Sequence, residues 1–199
     1  MPSRLGKLLL LATERAPVRK LFTSTPPGRA LATRFVAGET LEDAVGVAAE
    51  LNEGGFAVSL DHLGEHVADP DTARVARDDY LACLDAISTL GLDANISVKL
   101  TQLGLGLDGD LAAASLDELA NRAAAANTTV TVDMEESGHT AATVDLYESA
   151  QREHGNLGIA LQAYLLRTAG DLERLAPLGG HIRLCKGAYL EPPDIAFQG

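Results

Sequence analysis

The sequence predicts an α/β fold of the (β/α)8 TIM-type barrel class, holding the first five strands behind a set of N-terminal helices. Five short segments, 56–61, 96–101, 130–135, 159–164 and 182–187, each set an apolar parity against a small or polar one. The stretches between them have helical composition, and the repeat of roughly 20–40 residues suits βαβ units. The polar parity recurs on all five segments. An open sheet covered by helices on both sides would be apolar on both parities and would begin with a Gly-rich turn. Neither feature is present, so a barrel with polar groups converging at one mouth is the better reading.

Each element has its own reason. Two helices are expected ahead of the first strand, about 3–15 and 28–35, separated by Thr25–Pro26–Pro27. A third, Thr40 to Glu53, opens on an N-cap candidate with Glu42 and Asp43 in its first turn and stops at Gly54–Gly55. A long helix, 71–90, stops at Gly91. Later helices are expected at 115–126, 140–154 and 168–175, the first of them starting on the capping-box pair Ser115 and Glu118. These boundaries give an N-terminal helical segment, 1–54, and a partial barrel domain, 55–199. A complete barrel typically takes about 250 residues. With the first strand near Phe56 in a chain of 199 residues, the expectation is a barrel cut short after its fifth strand.

Composition narrows the function. The chain is 46% hydrophobic and 22% charged, which is globular. A net charge of −12 argues against nucleic acid as a partner. The charge is uneven, with seven Lys or Arg and a single acid, Glu14, before Val36. The apolar run 8–12 is too short for a membrane span and is followed at once by charged residues, so it reads as a helix of a cytoplasmic protein. Cys83 and Cys185 are far apart and read as two buried thiols. His62, His139 and His181 show no ligand spacing and no H-x-H or H-x3-H pair is read, so no metal is expected.

The polar parity collects the residues that can do chemistry. Ser97, Lys99 and Thr101 fall together, as do Thr131, Asp133 and Glu135, then Ser59 and Asp61, and Arg183 and Cys185. Lys99 and Arg183, read as inward strand residues, need a counter-charge or an anionic ligand. Asp133, Asp61 and Glu135 can supply the first. Barrel sites lie at the C-terminal ends of the strands, which favours a pocket for a small anionic substrate and a cofactor over a purely structural network. Gln162 offers an inward amide to a flat heterocycle, and Lys186–Gly187–Ala188 puts a cation and bare backbone at the end of the fifth strand.

Taken together, the runs 58–65, 97–104, 133–137, 161–165 and 183–192 resemble the proline dehydrogenase family, in order along five strands from about Thr40 onward. The short helical N-terminus is similar to that of its single-function bacterial members. The resemblance implies an FAD enzyme that oxidises L-proline to Δ1-pyrroline-5-carboxylate by hydride transfer and passes electrons to a quinone. It implies that Lys99 binds the substrate carboxylate, Asp133 orients that cation and the substrate end of the pocket, and Arg183 stabilises charge beside the flavin. Met134 and Gln162 would contact the flavin, with Lys186, Gly187 and Ala188 along it. Glu65 would be a gate residue whose family partner is an arginine on the last barrel helix.

Two other readings stay open. An inward lysine beside a carboxylate also suits a Schiff-base aldolase using Lys99. A half barrel without activity would act only by association. Unpaired strand edges predict self-association. The basic N-terminus predicts that any contact with a membrane surface is peripheral and salt-sensitive.

Overall fold

The computed structural model describes residues 36–198, so the two helices expected at 3–15 and 28–35 and the seven early cations lie outside the described residues. The chain divides into two compact units, one running to Val47 and the other covering Ala48–Gln198. In the first unit helix α1, Leu41–Glu53, begins. Its cap is reciprocal: the Asp43 backbone N–H donates to Thr40 Oγ1 at 3.2 Å, and the Thr40 N–H donates to an Asp43 carboxylate oxygen at 3.2 Å.

The second unit holds the sheet. Its elements are β1 Val58–Asp61, α2 Pro70–Leu90, β2 Ala94–Val98, α3 Gly109–Ala125, β3 Val130–Val132, α4 Ser137–His154, β4 Leu157–Gln162, α5 Thr168–Leu175 and β5 Ile182–Cys185. All neighbouring strands are parallel, in the order β1-β2-β3-β4-β5. Strands added one after another, with the usual right-handed crossover, stack their helices on one face. Accordingly α2 packs on α3 and α3 on α4. The opposite face is left to curl in on itself, which makes the sheet five strands of a (β/α) barrel.

Register explains the two parities. Ile96 pairs with Val130, Val98 with Val132, Val130 with Leu157 and Val132 with Ile159. Those residues are buried, together with Leu84, Ile87, Leu116, Leu119, Val144 and Tyr147 from the helices. On the other parity Asp61 pairs with Ser97, Ser97 with Thr131, Thr131 with Gly158, and Ala160 with Arg183. A one-residue slip would exchange the two faces, so the alternation fixes the register.

Helix ends follow their capping chemistry. Asp69 caps α2 by accepting from the Thr72 N–H at 2.9 Å, and Gly91 closes it at φ 63°. Helix α3 starts six residues before the expected Ser115, because Asp108 accepts from the N–H groups of Asp110 at 2.9 Å and Leu111 at 3.4 Å. Ser115 is therefore an interior residue of the helix, buried, and caps nothing. Helix α4 likewise begins at Ser137 instead of Thr140.

Four strands, β2 to β5, end earlier than their alternation suggests. After Val98 the alternation continues only to Leu100, and the chain enters a turn in which the Gln102 and Leu103 N–H groups bond Lys99 C=O. After Val132 the ladder gains one more bond, from the Asp133 N–H to Val98 C=O at 2.8 Å. The Glu135 carboxylate then replaces a backbone partner, accepting from the Thr101 N–H at 3.1 Å and from the Thr101 hydroxyl. Lys99 and Asp133 thus lie one residue past their strands, at the C-terminal mouth, and are not mid-strand.

The turn before β5 is tight. A Cβ on Gly180 would fall 2.4 Å from the Leu157 backbone oxygen and 2.3 Å from the Tyr147 hydroxyl. Gly180→Ala should therefore lower stability by about 1–3 kcal/mol through forced displacement. Urea denaturation measures it; a midpoint equal to wild type would show that β5 docks loosely there.

Candidate functional site

Five strands deliver polar groups to one mouth. Asp61 closes β1, Lys99 follows β2, Asp133 follows β3, Gln162 closes β4 and Arg183 sits within β5. Lys99 Nζ lies 3.0 Å from Asp61 Oδ2 and 3.4 Å from Asp133 Oδ2. The other Asp133 oxygen accepts from Ser97 Oγ at 2.6 Å and from the Arg183 guanidinium. Arg183 also reaches Ser97 Oγ at 3.3 Å.

These contacts require curvature. Adjacent strands are about 4.8 Å apart, so a flat sheet would place β5 roughly 14 Å from β2. Arg183 meets Ser97 across that span only because the sheet curls. Small residues on β4 clear the path: Ala160 pairs with Arg183, and Gly158 underlies His181, whose ring would be 2.1 Å from a Cβ there. His181 Nε2 in turn sits 2.8 Å from Thr131 Oγ1.

Partial burial acts to lower the Lys99 pKa, but the carboxylates of Asp61 and Asp133 outweigh it and move it upward. Lys99 therefore stays an ammonium. A Schiff-base lysine needs the opposite shift, toward a free amine, so the aldolase reading loses its main requirement. Beneath Asp61, the buried Tyr80 hydroxyl lies 3.3 Å from its Oδ1, 3.3 Å from His62 C=O and 3.1 Å from Gln102 Oε1. Burial, then the Asp61 charge, pushes the Tyr80 pKa upward, which keeps it a neutral donor.

The other predicted residues fall around this cluster. Gln162 is buried and donates from Nε2 to Met134 C=O at 3.2 Å, while its Oε1 has no partner among the described residues. An orphaned buried acceptor costs stability unless a ligand donor meets it, and a ring N–H of a flat heterocycle such as flavin fits. Gly187 has φ 108°, and a Cβ there would overlap the Tyr164 ring at 2.1 Å. Lys186 and Ala188 are exposed beside it. Glu65 lies outside the ion cluster and accepts from the Tyr189 hydroxyl at 3.4 Å. Glu135 also stays apart, buried on Thr101.

Two sequence readings need correction. Cys185 is exposed on the edge strand and Cys83 is half-buried, so they are not a pair of buried thiols. Burial, then Asp79, pushes the Cys83 thiol up to about 11. Among the histidines, His62 and His66 do stand at an H-x3-H spacing, but on a loop that turns them apart: His62 faces Asp79 and His66 faces Glu136. Sequence reading placed Ser97 beside Lys99 but missed Tyr80 and His181 as supports of the cluster. Tyr80 carried a signal, since a tyrosine on the apolar stripe of a helix needs a partner for its hydroxyl.

Comparison with known proteins agrees with this geometry. A family profile described as proline dehydrogenase matches residues 44–195. Proline dehydrogenase 1 of Bacillus subtilis (strain 168) is 37% identical over 166 residues, covering 83% of this chain and 55% of that protein. Proline dehydrogenase of Deinococcus radiodurans is 33% identical over 196 residues, covering 96% of this chain and 63% of that protein. The chain thus spans little more than half the length of the curated relatives it matches. Proline utilization A from Bdellovibrio bacteriovorus, inactivated by N-propargylglycine, superposes over 81% of this chain and 21% of its own, with TM-score 0.72 and 21% identity, a likeness of fold. A structure of proline utilization A with proline bound in remote sites gives TM-score 0.65 and 28% identity over 78% of this chain and 18% of its own.

Burial, with the Arg183 charge second, lowers the His181 pKa below its ordinary value of 6.5. The unfolded chain then takes up that proton first as pH falls. The contribution is fully present above about pH 6.5 and is lost as pH drops through the folded value. His181→Gln should flatten the loss of stability between about pH 7.5 and 5.5. Urea midpoints across that range check it, and an unchanged slope would mean His181 is equally basic in both states.

Proposed function

The chain belongs to the proline dehydrogenase family, and from that premise we propose that it takes part in the oxidation of L-proline to Δ1-pyrroline-5-carboxylate. The observation that carries this reading is the neutral cluster of Asp61, Lys99, Asp133 and Arg183 at the strand mouth. Two cations and two carboxylates side by side present both signs within a small space. That suits a zwitterion, which brings a carboxylate and a secondary ammonium together.

In this reading Lys99 holds the substrate carboxylate as a point charge. Asp133 keeps Lys99 and Arg183 aligned, and Asp61 holds Lys99 from the other side. Arg183 is half-exposed, with guanidinium N–H groups left for developing negative charge. The orphaned Gln162 oxygen, Met134, Lys186, Gly187 and Ala188 would hold FAD. When bound, FAD supplies the two-electron acceptor for the hydride leaving L-proline, with a quinone as onward acceptor. The substrate ammonium would first lose a proton to water, which frees the nitrogen lone pair to form the ring C=N bond as the hydride leaves.

Glu65 would serve as the gate residue, held meanwhile by Tyr189. No helix among the described residues is long and apolar enough to cross a membrane. A cytoplasmic location with peripheral, salt-sensitive membrane contact fits this reading, as does self-association through β1 and β5, each of which pairs with one strand among the described residues.

Anaerobic mixing of the FAD-reconstituted protein with L-proline should bleach the flavin absorbance. Lys99→Met should weaken L-proline by about 1.5–3 kcal/mol, the worth of a charge-assisted hydrogen bond. Asp133→Asn should slow the bleaching as well. An unchanged substrate dependence in Lys99→Met would remove the carboxylate assignment.

Flavin retention should depend on Arg183 and Lys186 more than on Gln162, because charge-assisted hydrogen bonds are roughly twice as strong as neutral ones. Equal flavin loss from Arg183→Ala and Gln162→Ala, with both variants folded, would contradict that ranking.

A further inference from the structure

The loop after β1 meets the first turn of α4 in a second group of chemically able side chains. His66 Nε2 lies 3.7 Å from one Glu136 carboxylate oxygen, and His139 Nε2 lies 3.6 Å from the other. One ligand atom from each of the three residues can be chosen with all three within 4.8 Å of one another. None of these residues belongs to the Lys99 cluster.

The backbone arrangement frees these groups to point at one another. Glu136 occupies the N-cap of α4 yet makes no capping hydrogen bond with its side chain. Glu191 does that work instead, accepting from the Ser137 N–H at 2.7 Å and from the Ser137 hydroxyl at 2.5 Å. The Glu136 carboxylate is thus released from the helix end. The His139 N–H bonds Glu136 C=O at 3.0 Å, which fixes the turn that puts both side chains on one face. His66 approaches from the loop in the left-handed region, φ 50°, a conformation a histidine seldom adopts. Its N–H is anchored on Thr101 Oγ1 at 3.3 Å, and Thr101 is itself held by buried Glu135.

Two imidazole nitrogens and a carboxylate oxygen form a donor set typical of zinc, with water or the nearby Glu65 carboxylate available for a fourth position. Hard cations such as magnesium and calcium prefer all-oxygen sets. Around zinc, ligands at about 2.0–2.2 Å in a tetrahedron stand roughly 3.3–3.6 Å apart. The two His–Glu contacts, 3.7 and 3.6 Å, are close to that but go to different Glu136 oxygens, and the three-atom set spans up to 4.8 Å, so binding needs the side chains to close in; His66 and Glu136 are nearly half-exposed and free to rotate.

We propose that His66, Glu136 and His139 bind one zinc-class divalent cation that ties the loop after β1 to the start of α4. That cation would also restrain Glu65, the neighbour of His66, whose carboxylate lies 4.0 Å from His66 Nε2.

The test is calorimetric titration of the tag-free, chelator-stripped chain with zinc chloride, with neither flavin nor L-proline present. Cobalt(II) absorption reports the geometry. One zinc per chain is expected, with tetrahedral cobalt bands. His66→Gln and His139→Gln should each weaken zinc by more than the roughly 10–100-fold that losing an outer-shell partner costs. Asp117→Asn should leave the affinity unchanged; it disrupts the other His–carboxylate group, Asp117, Glu153 and His154. Circular dichroism confirms folding, and if one histidine variant misfolds the other decides. No zinc uptake, uptake indifferent to both histidines, or uptake lost only in Asp117→Asn would overturn the proposal.

Discussion

One carboxylate, that of Asp133, is met from two sides. Lys99 and Ser97 approach from β2 and Arg183 from β5. The side chain of Asp133 is only 15% exposed, as is that of Lys99, so neither could stand there uncompensated. Breaking a buried pair commonly costs about 3–5 kcal/mol, because it leaves a charge without a partner. Much else in the half barrel serves this arrangement. The sheet must curl for Arg183 to arrive, and β4 must be small on its inner face for the guanidinium to pass over it.

The second requirement shows how packing and chemistry share the same residues. Gly158 and Ala160 give no inward bulk, so His181 and Arg183 can lie over β4 and reach β3. On the outer parity, β4 offers Leu157, Ile159 and Leu161, all fully buried. A single strand therefore carries an apolar wall on one face and a polar passage on the other. Tyr80 extends the same logic outward, since α2 supplies both core packing and a hydroxyl beneath Asp61.

Much of this was legible in the sequence, and for a physical reason. Alternation with period two is a direct imprint of a sheet with unlike faces, so the five strands and the convergence of Lys99, Asp133, Arg183 and Asp61 could be read from it, while the helical stretches between them gave the parallel order. What alternation cannot mark is where the ladder stops. Leu100 keeps the rhythm inside a turn, and the Glu135 side chain stands in for a backbone partner at Thr101. Lys99 therefore looked mid-strand when it lies at the mouth. Likewise Ser115 and Glu118 have capping-box spacing, but Asp108 starts the helix first. The His66, Glu136 and His139 group was illegible, because its members come from the loop after β1 and the start of α4, which only the fold brings together.

The proposed role of Lys99, kept charged by two aspartates, is to select a carboxylate. Comparing the affinity of the protein for L-proline with that for L-prolinamide tests it directly, since the amide keeps the shape of that end while replacing the anionic, acceptor-only group with a neutral one. The account predicts that L-proline binds at least about tenfold more tightly, the equivalent of one charge-assisted contact. Equal affinity for the acid and the amide would contradict it.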